Sequence, residues 1–299
     1  MTEGVRYRDL PLLGHLDVRS ARDVLPPELG TLSRLTPSRV QESLAEVRTG
    51  VTVPLNLAID AFQPPLFGRS PLVHRIVEPA RNEAEDEFDG FNPQASSQLD
   101  GLAHVRAREL GFFDGSTDLG GARQALGMQH WAARGIAGRG VLLDATVLSD
   151  DPGEGRAILA DDLREIARTQ DVELRPGDVL LVRTGWAAHY LGQDPVERAA
   201  TGWNGLSAGH ETAELLWDAG ISLVGSDNPA VESAPGDPSV GSLHRRLLPA
   251  LGMPMLELLD LERLAQECRA RDSWSFFFVS VPMFAEGAVS SPANAMAIL

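Results

Sequence analysis

Two short stretches of this 299-residue chain hold the side chains best suited to chemistry. The first runs Ser96-Ser97-Gln98-Leu99-Asp100-Gly101-Leu102-Ala103-His104. Asp100 and His104 stand four residues apart with Gly101 between them, a pattern efficient for neither a helix nor a strand. Gly101 marks a tight turn or a close backbone approach. Such a turn can aim both side chains into one cavity. A carboxylate with an imidazole is a ligand set for Zn, Mn or Fe; the same pair also makes an ordinary salt bridge or cap. The second stretch runs from Ser242 to Leu258. His244 opens a helix that Gly252 ends, and Glu257 follows between Leu256 and Leu258. Burying a carboxylate unpaired in such an apolar run is expensive, so Glu257 needs a metal, a cation such as Arg, or a proton.

A third motif offers different chemistry. Gly205-Leu-Ser207-Ala-Gly209 matches the G-x-S-x-G elbow of serine hydrolases, which requires a strand before the serine and a helix after it. The preceding residues, Glu197 to Asn204, are polar and do not read as a strand. Ser207 therefore reads as a helix N-cap, its oxygen taking up a free N–H. Arg183 either anchors a carboxylate product or pairs with Asp227. His15, His74, His130, His189 and His210 read as surface or structural residues.

The elements that must position these groups alternate between apolar runs and amphipathic stretches. Strands are expected at Val51 to Leu55, Arg139 to Asp144, Val179 to Arg183, Ile221 to Gly225, Met255 to Glu257 and Phe276 to Val281. Helices are expected at Ser38 to Arg48, with an apolar stripe of Val40, Leu44 and Val47, and at Ala160 to Thr169, Ala208 to Asp218, Leu243 to Leu251 and Leu261 to Arg271. This order predicts an α/β fold with a covered sheet. Three strands end in polar residues, at Asp144, at Arg183-Thr184 and at Asp227-Asn228. Sites gather at such strand ends, and strands also end in polar residues simply because they end at the surface. Residues 1–27 read as an N-terminal arm and 28–299 as one domain. Residues 61–97, with Pro64-Pro65, Gly68, Pro71 and an acidic run, read as a long loop of the kind that covers sites.

Composition narrows the function classes. Hydrophobic residues make up 43% and charged residues 23%, ordinary for a soluble globular protein. The formal net charge is −16, which makes nucleic acid and anionic membrane poor partners and leaves a small-molecule substrate. All 26 basic residues are Arg, so Schiff-base chemistry and a P-loop are excluded. The single Cys268 cannot form a disulfide within the chain, which fits a reducing compartment. Met1 to Asp9 is polar, unlike a signal peptide, and the expected location is the cytoplasm.

Several motifs in order resemble the kynurenine formamidase, isatin hydrolase and "putative cyclase" family. They are Gly30-Thr-Leu-Ser33 with Leu35-Thr-Pro37, Gln98-Leu-Asp-Gly-Leu-Ala-His104, Arg139-Gly-Val-Leu-Leu-Asp144 and Gly177-Asp-Val-Leu-Leu-Val-Arg-Thr-Gly-Trp186. Gly205-Leu-Ser207, Val224-Gly-Ser-Asp-Asn-Pro229 with Glu232, Leu243-His244, Leu256-Glu257 and Ser291-Pro292 continue the series. The resemblance implies a single domain of the β/β/α swivelling type, with a central mixed sheet or partial barrel. The family's signature is His-x-Gly-Thr-His-x-Asp-x-Pro-x-His, whose His and Asp residues bind one or two divalent metals and activate water. Laid on this chain, its Asp falls on Asp100 and its last His on His104. The first two His positions fall on Gln94 and Gln98, Gly-Thr is absent, and Leu102 takes the Pro position. An amide is a poorer ligand than imidazole, so a site built on those two positions is weakened. The resemblance thus implies one divalent metal, Zn or Mn, held by Asp100, His104, His244 and Glu257, or by three of them. His104 or Glu257 would serve as general base, and Gln98 would orient substrate or water. The implied function is hydrolysis of a small cyclic or N-acyl amide, lactam or lactone. The alternative is an intramolecular cyclase or dehydratase working by acid–base catalysis, with or without metal. Trp186, Trp203 and Phe62 either wall an aromatic substrate pocket or pack in the core. A homodimer or larger homo-oligomer is expected.

Overall fold

The apolar runs do form a sheet, and its connectivity forces it to curl. The computed structural model describes residues 4–196 and 198–299. Nine strands lie in the order Thr52–Pro54, Ala295–Ile298, Ser275–Ser280, Ile136–Asp144, Val179–Arg183, Leu223–Ser226, Met255–Glu257, Gln98–Asp100 and Ser290–Pro292. The four from Ile136–Asp144 to Met255–Glu257 run parallel, and the flanking pairs are antiparallel. Ser290–Pro292 forms one edge, and Ala295–Ile298 stands next to the other, yet only Ala293 and Asn294 separate them. So short a link cannot cross a flat sheet whose strands stand about 4.8 Å apart. The two ends must therefore meet, and the sheet closes into a half-barrel. Ser97 helps to seal the seam: its carbonyl accepts the Ala293 N–H at 2.9 Å and its hydroxyl accepts the Leu57 N–H at 2.8 Å.

Helices cover the convex side. Ala160–Thr169, His210–Asp218 and Glu262–Arg271 turn Leu163, Ile166, Ala213, Leu216, Leu264 and Ala265 into the main core. This is why the parallel strands are apolar on both faces. The helix expected over Ser38 to Arg48 is shorter. It spans Pro37–Ser43, starts at a Thr36 cap whose hydroxyl accepts the Arg39 N–H, and ends in a 3-10 turn, Leu44–Glu46. Its expected apolar stripe does not reach the core, for Leu44 is 53% exposed and Val47 38%. Leu35, just before the helix, is buried instead.

The segment read as an N-terminal arm contributes Tyr7, Leu10, Ala21 and Leu25 to the main core. Within 61–97 the structure has more order than a loop: an antiparallel hairpin, Val73–Ala80 with Glu83–Asp89. Nearly every residue of it is exposed. Strands that bury neither face need no apolar alternation, so the sequence carries no strand signal there. The strand Gln98–Asp100 also escaped the pattern, because three residues are too few to establish a period.

Backbone strain gathers in particular places. Seven described non-glycine residues have positive φ: Phe67, Arg108, Asp171, Val231, Leu258, Asp272 and Asn294. Three of them stand next to, or two residues from, Arg69, Glu232 and Glu257. Left-handed backbone at Phe, Val and Leu is costly and persists only where the surroundings enforce it.

Candidate active site

Strand pairing alone brings the two chemical stretches together. Gln98–Asp100 lies between Met255–Glu257 and Ser290–Pro292, with Glu257 opposite Gln98 and Met255 opposite Asp100. Directly opposed residues share a face, and alternate residues along a strand share it too. Gln98, Asp100 and Glu257 therefore project to one side, while Leu99 and Leu256 enter the core on the other. Gly101 permits the close approach expected of it, since a Cβ there would meet Met128 Cε at 2.6 Å and the Val289 carbonyl oxygen at 2.9 Å. The next turn is closed by the His104 N–H on the Gly101 carbonyl at 3.0 Å, which returns the His104 ring toward Asp100, with Nε2 3.6 Å from Oδ2.

His244 comes from the short helix Leu243–Arg246, which widens into a π-turn, Leu247–Leu251, around Pro249. Proline lacks the N–H that a regular helix would use there. The ring of His244 sits between two carboxylates. Its Nδ1 is 2.7 Å from Glu232 Oε1 and its Nε2 is 3.0 Å from Glu257 Oε1. Glu232 also accepts the Leu243 N–H at 2.6 Å and the Ser242 hydroxyl at 3.0 Å. Burial alone would lower the His244 pKa, but the hydrogen bonds to Glu232 and Glu257 overcome this and raise it well above the ordinary value. Burial, then the nearby charge of Asp100, pushes the Glu257 carboxyl up to about 7 against the pull of His244 and Arg69. Glu232 moves the other way: burial opposes ionisation, but His244 and the local N–H groups carry its pKa below the usual carboxylate range.

The two glutamines act as donors. Gln94 Nε2 gives a hydrogen bond to Asp100 Oδ1 at 2.8 Å and lies 3.3 Å from His104 Nε2. Gln98 Nε2 gives one to Glu257 Oε2. One oxygen of each carboxylate is thereby satisfied by an amide N–H. Of the other two, Glu257 Oε1 meets His244 Nε2 and Asp100 Oδ2 has no hydrogen-bond partner. Only four buried side-chain polar atoms among the described residues have no hydrogen-bond partner, and three belong here: Asp100 Oδ2, Gln98 Oε1 and Arg69 Nη1. Asp100, His244 and Glu257 offer ligand atoms within 4.8 Å of one another, a group that can hold a metal ion. Two orphaned acceptors beside three convergent ligands fit a cation, because each unpaired buried acceptor costs about 1–3 kcal/mol. His104 adjoins this group through Asp100. It is also the most open member, its side chain 27% exposed against 1% for Asp100.

Sequence reasoning missed Arg69, and it gave Glu232 no role. Arg69 is half-buried on the loop before the hairpin. Burial lowers its pKa, while the charges of Glu257 and Asp100 oppose that. No local pattern marks such a residue; only the length of its loop hinted at it. Glu232, 2.7 Å from His244 Nδ1, orients the ring so that Nε2 faces Glu257 and Asp100. Partners of this kind are worth about 10–100-fold in metal affinity or activity. Glu232→Gln should weaken metal retention by about that factor with little change in thermal stability, which competition with a chromogenic chelator would measure; unchanged retention would deny Glu232 this role.

The other candidates have packing or hydrogen-bond partners of their own. Ser207 is not the N-cap of the following helix; Gly209 is, and the Ser207 hydroxyl accepts the Gly209 N–H at 3.2 Å. A two-residue strand, Gly205–Leu206, does precede Ser207, fixed by parallel pairing to Ala157–Ile158 rather than by its own composition. Arg183 pairs with Asp144 at 2.9 Å and Glu262 at 2.7 Å, not with Asp227. Asp227 instead accepts the N–H groups of Thr184 and Gly185. Phe62, Trp186 and Trp203 are buried together with Tyr190, Leu66 and Leu258; Trp186 stacks on Tyr190 at 4.8 Å. A surface cavity of about 860 Å³ lined by Arg34, Arg39, Trp217 and Asp218 shares no residue with the carboxylate–histidine cluster.

Fold and site together define an α/β enzyme of hydrolase or cyclase type, built on a curled mixed sheet. The sequence profile described as "Putative cyclase" matches residues 50–233, and the chain belongs to that family. Among solved structures, a novel cyclase superposes with a TM-score of 0.81 at 29% identity, over 91% of this chain and 96% of that one. An isatin hydrolase bound to the product analogue thioisatinate gives 0.60 at 17% identity, over 88% and 99%. A protein described as a predicted metal-dependent hydrolase from Bacillus stearothermophilus gives 0.50 at 18%, over 83% and 97%. No curated protein matches the chain at a significant level. Among the described residues no helix is long and apolar enough to cross a membrane.

Proposed function

We propose that this enzyme hydrolyses a small cyclic or N-acyl amide, lactam or lactone at a single divalent metal, Zn or Mn, held by Asp100, His244 and Glu257 with His104 beside them. The observation that carries this reading is the pair of orphaned acceptors, Asp100 Oδ2 and Gln98 Oε1, next to a three-ligand group. The amide N–H groups of Gln94 and Gln98 occupy one oxygen each of Asp100 and Glu257, which leaves acceptors for one ion rather than two. Bound there, a divalent ion supplies water of lowered pKa and polarises a carbonyl. The chain's own groups do the rest. Glu232 holds the Nδ1 proton of His244. Gln98 Oε1 orients the attacking water. His104, at the open side of the cluster, exchanges protons with solvent and delivers one to the departing nitrogen or oxygen. Water adds its oxygen to the carbonyl carbon, the C–N or C–O bond breaks, and its protons end on the leaving group and the medium. The likeness in fold to an isatin hydrolase and to a predicted metal-dependent hydrolase supports this class of reaction.

One observation favours a second reading. His244 clamped between Glu232 and Glu257 is already a complete proton-transfer chain without an ion. It would serve an acid–base cyclase or dehydratase. Elemental analysis of protein purified without added metal, beside Asp100→Ala, separates the two. Near one equivalent of Zn or Mn, lost in the variant, is the expected result. Metal in neither sample, with activity that survives chelators, would transfer the function to the acid–base chain.

A further inference from the structure

The orphaned donor of the site is not explained by a metal. Arg69 Nη1 is buried without a hydrogen-bond partner, while its charge acts on Glu257 and Asp100 from beyond ion-pair distance. A guanidinium N–H in that position is complementary to an oxygen carried by something that enters between them. The residues around it are built for contact. The turn Leu66–Gly68 is anchored by Leu66 in the buried aromatic cluster with Trp186 and Leu258. It holds Phe67 in left-handed backbone, φ 59° and ψ 25°, with the residue 60% exposed. The Phe67 ring stands edge-on to Trp203 at 6.1 Å, and the Arg69 guanidinium lies 5.0 Å from its centroid. The turn thus displays a large and mostly exposed apolar ring two residues from a buried unpaired donor. Strain of this kind is retained where a ligand uses it.

We propose that Arg69 is the substrate-binding residue that selects a carboxylate or other anionic oxygen on the substrate, with Phe67 receiving the planar ring that carries it. The substrate class is thereby narrowed to aromatic or similarly planar acids and their acyl derivatives. The inference rests on the reading of this cluster as the active site, but not on the presence of a metal. An oxygen seated at Arg69 Nη1 satisfies the buried donor that Glu257 and Asp100 leave open. A guanidinium donor also discriminates strongly between an anion and its neutral counterpart.

Benzoate, benzyl alcohol and acetate serve as probes, with binding to the purified full chain measured by calorimetry in the presence and absence of chelator. In the wild-type protein benzoate should bind at least about tenfold tighter than benzyl alcohol. Arg69→Gln should weaken benzoate by about tenfold or more and leave benzyl alcohol within twofold. Phe67→Ala should weaken benzoate and benzyl alcohol alike and leave acetate unchanged. Arg69→Lys, which keeps the charge, guards against a folding defect in the glutamine variant and should restore part of the benzoate affinity. Benzoate binding that is equal in wild type and Arg69→Gln overturns the proposal, as does wild-type protein that does not bind benzoate. If benzoate binds only to a metal, the Arg69 variants leave its affinity intact, so this proposal fails while the metal reading stands. If the protein holds no metal yet loses benzoate selectively on Arg69→Gln, the metal reading fails and this one stands.

Discussion

Replacing Glu257 by Gln is expected to reduce kcat/KM by about 10³-fold or more while leaving the protein folded and, without metal, at least as stable as before. The side chain is 3% exposed and almost isosteric with its replacement, so packing survives. What is lost is charge. Glu257 faces His244 Nε2 with one oxygen and Gln98 Nε2 with the other, and it is one of three groups able to hold an ion. The stability side follows from its titration. Burial and the Asp100 charge raise the folded carboxyl from 4.5 to about 7. A carboxyl with a raised folded pKa stabilises fully below its unfolded value, and that contribution is lost as pH rises through the folded value. In chelator, the Tm of Glu257→Gln minus that of the wild type should therefore grow more positive between pH 5 and pH 8. Bound metal should reverse the order, because only the wild type gains binding energy. A variant that keeps its activity, or a Tm difference flat across that range, would remove Glu257 from the centre of the site.

How much of this was legible in the sequence depended on whether a residue's partner lay close along the chain. Val179–Arg183 and Met255–Glu257 stood out as apolar runs with the bounds they have in the fold. Asp100 and His104 could be paired because one turn joins them, and Glu257 because an ionisable side chain between two leucines demands explanation. Gln98 was legible only through its place in a family motif, and its donation to Glu257 is a product of antiparallel register that no local pattern encodes. Glu232 and Arg69 were harder still. Glu232 meets His244 across 12 residues of irregular chain, and Arg69 is brought within electrostatic range of Glu257 and Asp100 from a loop whose next segment is an exposed hairpin. The polar strand ends left two readings open, a site or a plain surface end. Asp144 is ion-paired to Arg183 and Arg269, and Asp227 accepts backbone N–H groups. Physically, a buried carboxylate satisfied by Arg and by N–H groups is indistinguishable in sequence from one that awaits a metal; only the orphaned oxygen tells them apart.

The same logic of long-range placement predicts the largest effect on stability, at a residue with no side chain. Gly30 has φ +54°, and a Cβ there would lie 2.0 Å from the Gly252 carbonyl oxygen and 3.0 Å from Leu102 Cδ1. Gly252 ends the π-turn that carries His244 toward Met255–Glu257, and Leu102 follows Asp100 by two residues. Thr31 fastens the contact, with its N–H on the Gly252 carbonyl at 2.8 Å and its hydroxyl on the Ser222 carbonyl at 2.7 Å. Gly30 thus sits where the two halves of the site are pressed together, and backbone rather than a flexible side chain would have to yield. Gly30→Ala should cost about 3–5 kcal/mol, a fall in Tm of roughly 10 °C, and it should loosen metal retention because Asp100 and Glu257 move apart. Gly50 supplies the control: its φ is +73°, and nothing lies within 4 Å of its added Cβ. Gly50→Ala carries the conformational strain alone and should cost about 1 kcal/mol. Equal losses for the two variants would mean that left-handed backbone, and not the close approach at Gly252, accounts for the glycine, and the link from residue 30 to the site would be withdrawn.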